Sequence, residues 1–145
     1  MDFFQSFCLA MGNKACYLFC IIKIAFLYLG KTDFKPTEVI KWVLQAIENG
    51  YVRFNWTYYA DDNNFYVLEP TKILEMITGK KWSVVKSYNV DYKPKEGEFI
   101  VSWYTINDVT GHFDLPQYDF HNYQFSKTVS QGHVGSLRIF KCIEE

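Results

Sequence analysis

Residues 13–29 read NKACYLFCIIKIAFLYL, and the fold turns on them. From Ala15 to Leu29 only Lys23 breaks an apolar run of good helix formers, with Asn13 as a candidate N-cap and Gly30 as a stop. A helix that is apolar on nearly every side belongs at the centre of a core. The run is shorter than the roughly 20 residues needed to span a bilayer, so it reads as a buried helix rather than a membrane segment. It carries two thiols. Cys16 falls in the first turn, where amide N–H groups and the helix dipole favour a thiolate. Cys20, one turn deeper, reads as a small core hydrophobe.

Outward from this helix, Pro36 suits a first turn, and Val39, Ile40, Val43, Leu44 and Ile47 keep a 3.6-residue period up to Gly50, which predicts an amphipathic helix. The stretch from Tyr51 to Pro70 places short aromatic segments on either side of DDNN, a pattern of irregular structure or a small hairpin. Its rings Trp56, Tyr58, Tyr59 and Phe65 are candidates for a recognition surface as well as for core. A third, short helix runs from Pro70 towards Gly79. After residue 80 the character changes. KWSVVKSY, GEFIVSWYTI, GHFDLP, YQFSKTVS and GSLRIFKCI are β-branched, aromatic and separated by turn residues, which predicts five strands of an antiparallel sheet. Helices followed by strands give an α+β fold, expected as one domain over residues 1–145 with the N-terminal helices packed on the C-terminal sheet.

Composition narrows the function. Hydrophobic residues make up 49% and aromatics 19% of the 145 residues, which excludes a disordered chain and implies a ring-rich core. Lys plus Arg number 15 against 16 Asp plus Glu, so no net field draws in nucleic acid, and no basic stripe is present. The start MDFFQSFCLAMGNK lacks the basic n-region and cleavage site of a signal peptide. The four cysteines are therefore expected as free thiols in the reducing cytoplasm. Cys8, Cys16, Cys20 and Cys142 lack paired metal-knuckle spacing, and GHVGSLR lacks the lysine of a phosphate loop, so neither metal nor cofactor is expected.

Thiol chemistry needs a base, and the histidines are His112, His121 and His133. His112 opens the strand GHFDL directly after the turn signal NDVTG, a strand end where a base can meet a helix N-terminus. His121 and His133 lie in polar, turn-like surroundings. For the group that orients the imidazole, Asp114 shares the strand face of His112. Asp119 or Asn122 serves if the chain reverses at Pro116-Gln117.

The order of ACYLFCIIKIA, EPTKILEMITGKKW, GHFDLPQYDF and SLRIF resembles an uncharacterised bacterial and phage-associated family whose members open a core helix with a Gly-Cys-Tyr-Phe type motif and later carry a His-Phe and an Asp-Pro. More distantly, the order of a Cys-helix, a His-strand and an Asp is similar to papain-like cysteine peptidases, including those that process double-glycine leader peptides. The resemblance implies a papain-like fold with Cys16 as nucleophile, His112 as base and Asp119 as orienting acid, acting on a peptide, isopeptide or related acyl bond of a protein or peptide partner. The chain departs from that pattern at three places. Ala10 stands where such peptidases hold an oxyanion glutamine, with Gln5 further off and nearer Cys8, an alternative nucleophile. Ala15 replaces the glycine before the cysteine, and Phe120 the proline after Asp119. These changes also fit an inactive scaffold kept for binding, such as a phage or mobile-element inhibitor of a host system.

Overall fold

The apolar stretch does form a helix, but another helix runs into it. The structure, a computed structural model, describes residues 3–57, 63–116 and 131–144. α1 spans Phe3–Lys14 and α2 spans Cys16–Tyr28, with Ala15 between them at the N-cap position of α2. Asn13, the expected cap, lies instead in the last turn of α1. The chain forms two compact units, Met1–Thr78 and Gly79–Glu145.

The first unit also holds α3 (Pro36–Glu48), a hairpin of β1 (Val52–Asn55) and β2 (Asn64–Val67), and α4 (Pro70–Thr78). α2 buries Leu18, Cys20, Ile21, Ile22, Ile24, Ala25 and Phe26 and packs against α3, α4 and β2. Lys23 is tolerated in this helix because its ammonium lies 5.2 Å from the centroid of the Phe34 ring. The helix stops as the sequence requires. Gly30 takes φ 71°, and the N–H groups of Gly30 and Lys31 reach back to the carbonyls of Leu27 and Phe26, satisfying the last turn.

α3 starts at Pro36 and turns Val43 and Ala46 inward. The Glu38 carboxylate accepts from the Lys35 N–H at 3.3 Å and pairs with Lys31 Nζ at 2.6 Å. The Lys31 hydrogen bond, and after it the Lys35 N–H, hold Glu38 below the usual carboxylate range. The aromatic stretch after α3 is a hairpin, with Phe54 opposite Phe65. Both rings meet Phe7 of α1 at 5.3 and 5.5 Å between centroids, mostly edge-on. Trp56 and Tyr66 remain more than a third exposed, while Tyr58 and Tyr59 lie outside the described residues.

The second unit is an antiparallel sheet of β3 (Trp82–Ser87), β4 (Glu98–Thr105), β5 (Gly111–Asp114) and β6 (His133–Cys142), in the order β3-β6-β4-β5. The last strand is inserted between β3 and β4. The expected strand at residues 123–130 lies outside the described residues. One face carries Trp82, Phe99, Val101 and Phe140, with the Arg138 guanidinium 4.9 Å from the Phe113 ring. The other carries Ile100, Ser102 and Leu137 together with His112 and Asp114. Among the described residues no helix is long and apolar enough to cross a membrane.

Trp103 fixes the register where β4 shifts against β6. Its ring lies so close to β6 that a Cβ on Gly135 would come within 2.8 Å of Trp103 Cε3, and a Cβ on Gly111 of β5 within 2.6 Å of Nε1. Gly135→Ala is therefore expected to cost about 1–3 kcal/mol through overpacking, read as a lower midpoint in urea unfolding. An unchanged midpoint would contradict the packing.

Glu98, at the start of β4, closes the connection from β3. Its Oε1 accepts from the Tyr92 hydroxyl at 2.7 Å and the Lys95 N–H at 2.8 Å. The Tyr92 bond first and the Lys95 bond second hold its pKa below the ordinary value, and the same bond raises that of Tyr92. A carboxylate depressed in the folded state stabilises above its unfolded value, and that stability is lost as pH falls through the folded one. Thermal unfolding should show Glu98→Gln less stable than the parent at about pH 7, with the gap closing towards about pH 3. A gap that stays constant would exclude the carboxylate as its cause.

Candidate active site

Cys16 is the first residue of α2 and is half-buried, while Ala15 before it and Leu18 after it are sealed. The Ala15 carbonyl accepts the first intrahelical bond, from the Phe19 N–H at 2.9 Å, and no side chain caps this end of α2. The abutting α1 changes the electrostatics. Its negative end and the positive end of α2 meet at Ala15, so the dipole field at the sulfur is a difference between the two, to which Lys14 in the last turn of α1 adds a positive charge. The sequence alone suggested an undivided helix-end field. With that field reduced, ionisation of Cys16 depends more on a base.

Of the other thiols, Cys20 is buried in α2. Cys142, on β6, donates to the Glu144 carbonyl at 3.1 Å. Cys8 and Gln5 both fall on α1, with Gln5 exposed.

His112 belongs to the second unit, on β5, and is 2% exposed. The turn that delivers it is tightly built. Asn107 Oδ1 accepts from the N–H groups of Val109 and Thr110 at 3.0 and 2.9 Å, Thr105 Oγ1 donates to the Thr110 carbonyl at 2.6 Å, and Asp108 takes φ 63°. This turn sets Tyr104 opposite His112 and Ser102 opposite Asp114. Strand alternation puts all four side chains on one face, and Asp114 and Ser102 are buried there with His112. Asp114 Oδ1 accepts from the Leu115 N–H at 2.8 Å. Burial, and after it the Asp114 charge, raise the Tyr104 pKa above the ordinary tyrosine value.

Asp119, Asn122 and His121 lie outside the described residues. His133 is exposed, with its Nε2 2.8 Å from Asp108 Oδ1 across the turn, a surface pair of small energetic weight. Among the described residues no three His, Cys, Asp or Glu side chains gather as a metal site requires. Ser102 and Tyr104 escaped the reading of the sequence. The signal that finds them is the pairing of VSWYT with GHFD through the NDVT turn, which sets alternate residues of the two strands face to face.

Comparison with curated proteins and with solved structures found no match. Residues 7–142, spanning α2, the sheet and both candidate residues Cys16 and His112, match the family described as protein of unknown function, DUF261, and the chain belongs to that family.

Proposed function

We propose that the protein is a papain-like cysteine peptidase-type hydrolase that cleaves a peptide, isopeptide or related acyl bond, with Cys16 as nucleophile and His112 as base. The observation that carries this reading is that α2 begins at Cys16 itself and leaves that thiol partly exposed, while the same helix seals Cys20. A helix that starts at a cysteine and an antiparallel sheet that carries a buried histidine are the two parts such an enzyme needs.

In the reaction His112 takes the thiol proton, and the Cys16 thiolate adds to the substrate carbonyl carbon. The C–N bond breaks as the His112 imidazolium gives its proton to the leaving amine, which leaves a thioester on Cys16. Water, losing its proton to His112, attacks the thioester and releases the carboxylic acid product with Cys16 restored. Family resemblance gives the orienting role to Asp119. A second reading, a papain-like scaffold that binds a host-system protein without turnover, draws on the exposed apolar side chains of the second unit, Tyr88 at 73% and Val109 at 79%.

Alkylation with iodoacetamide separates the two. At about pH 6 an unperturbed thiol is roughly 0.3% thiolate. Cys16 is expected to react at least about tenfold faster than Cys8, Cys20 and Cys142, and His112→Ala to remove most of that advantage. Equally slow labelling of all four thiols would leave only the binding scaffold.

A further inference from the structure

We infer that the outer edge of β3 takes up an extended acidic peptide as an added strand of the second unit's sheet. The inference uses neither Cys16 nor His112 and holds under either reading of them above.

Among the described residues β3 pairs with β6 alone. The Ile143 N–H donates to the Lys81 carbonyl at 2.9 Å, and this sets the phase of the ladder. Lys81, Ser83, Val85 and Ser87 turn their main-chain groups towards β6, while Val84 and Lys86 turn theirs away from it. The outward N–H and C=O groups of Val84 and Lys86 meet no partner among the described residues. Neither a proline nor a bulge blunts this edge, since β3 keeps one register against β6 from Trp82 to Ser87.

Charge selects the partner. From Lys80 to Lys95 five lysines stand against one acid, Asp91, which leaves 10 basic against 15 acidic residues in the rest of the chain. In the sheet, exposed Lys86 lies directly opposite Arg138 on one face, and exposed Lys141 opposite Ser83 on the other. Like charges facing each other across a sheet repel. The Lys86 ammonium lies 5.1 Å from the centroid of the Tyr88 ring, and the Arg138 guanidinium over Phe113. Glu144, whose carboxylate accepts from the Lys81 N–H, stands at the other end of β3 from Lys86. An acidic side chain opposite Lys86 on the added strand offsets the repulsion, and an apolar one opposite Val85, 59% exposed, covers it. A second copy of β3 brings the same lysines to the same edge, and edge lysines act against such pairing. A nucleic-acid phosphate only accepts hydrogen bonds and leaves the Val84 and Lys86 carbonyls unpaired, whereas a peptide main chain both donates and accepts.

The test is titration of the ¹⁵N-labelled full chain with a capped hexapeptide of alternating Glu and Val, followed by amide shifts and hydrogen exchange. The Val84 and Lys86 amides should shift and become protected, and a Lys-Val hexapeptide should bind at least about tenfold more weakly. Methylating alternate main-chain nitrogens of the Glu-Val peptide should abolish binding. Lys86→Glu, a change at an exposed side chain, should reverse the preference between the two peptides. No binding, equal binding of both peptides, or a preference unmoved in Lys86→Glu would overturn the inference. So would a concentration-dependent dimer that protects the same amides without peptide, or tighter binding there by single-stranded oligothymidylate. If Lys86→Glu does not fold, Lys86→Gln decides: it should narrow the gap between the two peptides, and an unchanged gap would overturn the inference equally.

Discussion

The burial of α2 constrains the rest of the first unit. Seven of its side chains, from Leu18 to Phe26, leave water over most of the helix circumference, and a stripe that includes Cys16, Phe19, Lys23 and Leu27 stays partly exposed. Such a helix is stable only when other elements surround it, and α3, α4 and the β1–β2 hairpin pack on it in the first unit. Of the two thiols of α2, the one that is partly exposed is its first residue. A nucleophile placed there gains rigidity from the buried turns behind it, since a helix that cannot shift holds its first-turn amides in fixed directions.

The second unit makes the complementary arrangement from a sheet. β6 lies between β3 and β4, and among the described residues β5 pairs with β4 alone, joined to it by the Asn107–Thr110 turn. Burying a histidine and an aspartate on this strand is costly. Their shared face with Ser102 and Tyr104 offsets part of that cost by supplying polar neighbours, and it places His112, Asp114 and Tyr104 on one row.

Much of this was legible in the sequence where local chemistry decides the outcome. Pro36 and Pro70 open helices and Gly50 and Gly79 follow their ends, because a fixed φ and a freely positive φ act within one turn. α1 was not legible. FFQSFCLAMGNK has no clean apolar period, and Gly12 and Asn13, which look like a break, sit inside its last turn. The strands after residue 80 could be read from their composition, but the order β3-β6-β4-β5 could not, since it depends on pairing across some fifty residues. Alternation revealed that His112 and Asp114 share a face; only packing reveals that this face is buried.

In the proposed reading His112 is the base for Cys16, and α1 reduces the dipole field that α2 alone would supply. Ultraviolet thiolate absorbance, measured as the difference between the parent and Cys16→Ser across pH, tests it most directly. The account predicts a titration well below the ordinary thiol value of about 8.5 in the parent, returning towards it in His112→Ala. A Cys16 signal that titrates at the ordinary value in the parent, or is indifferent to the loss of His112, would contradict it.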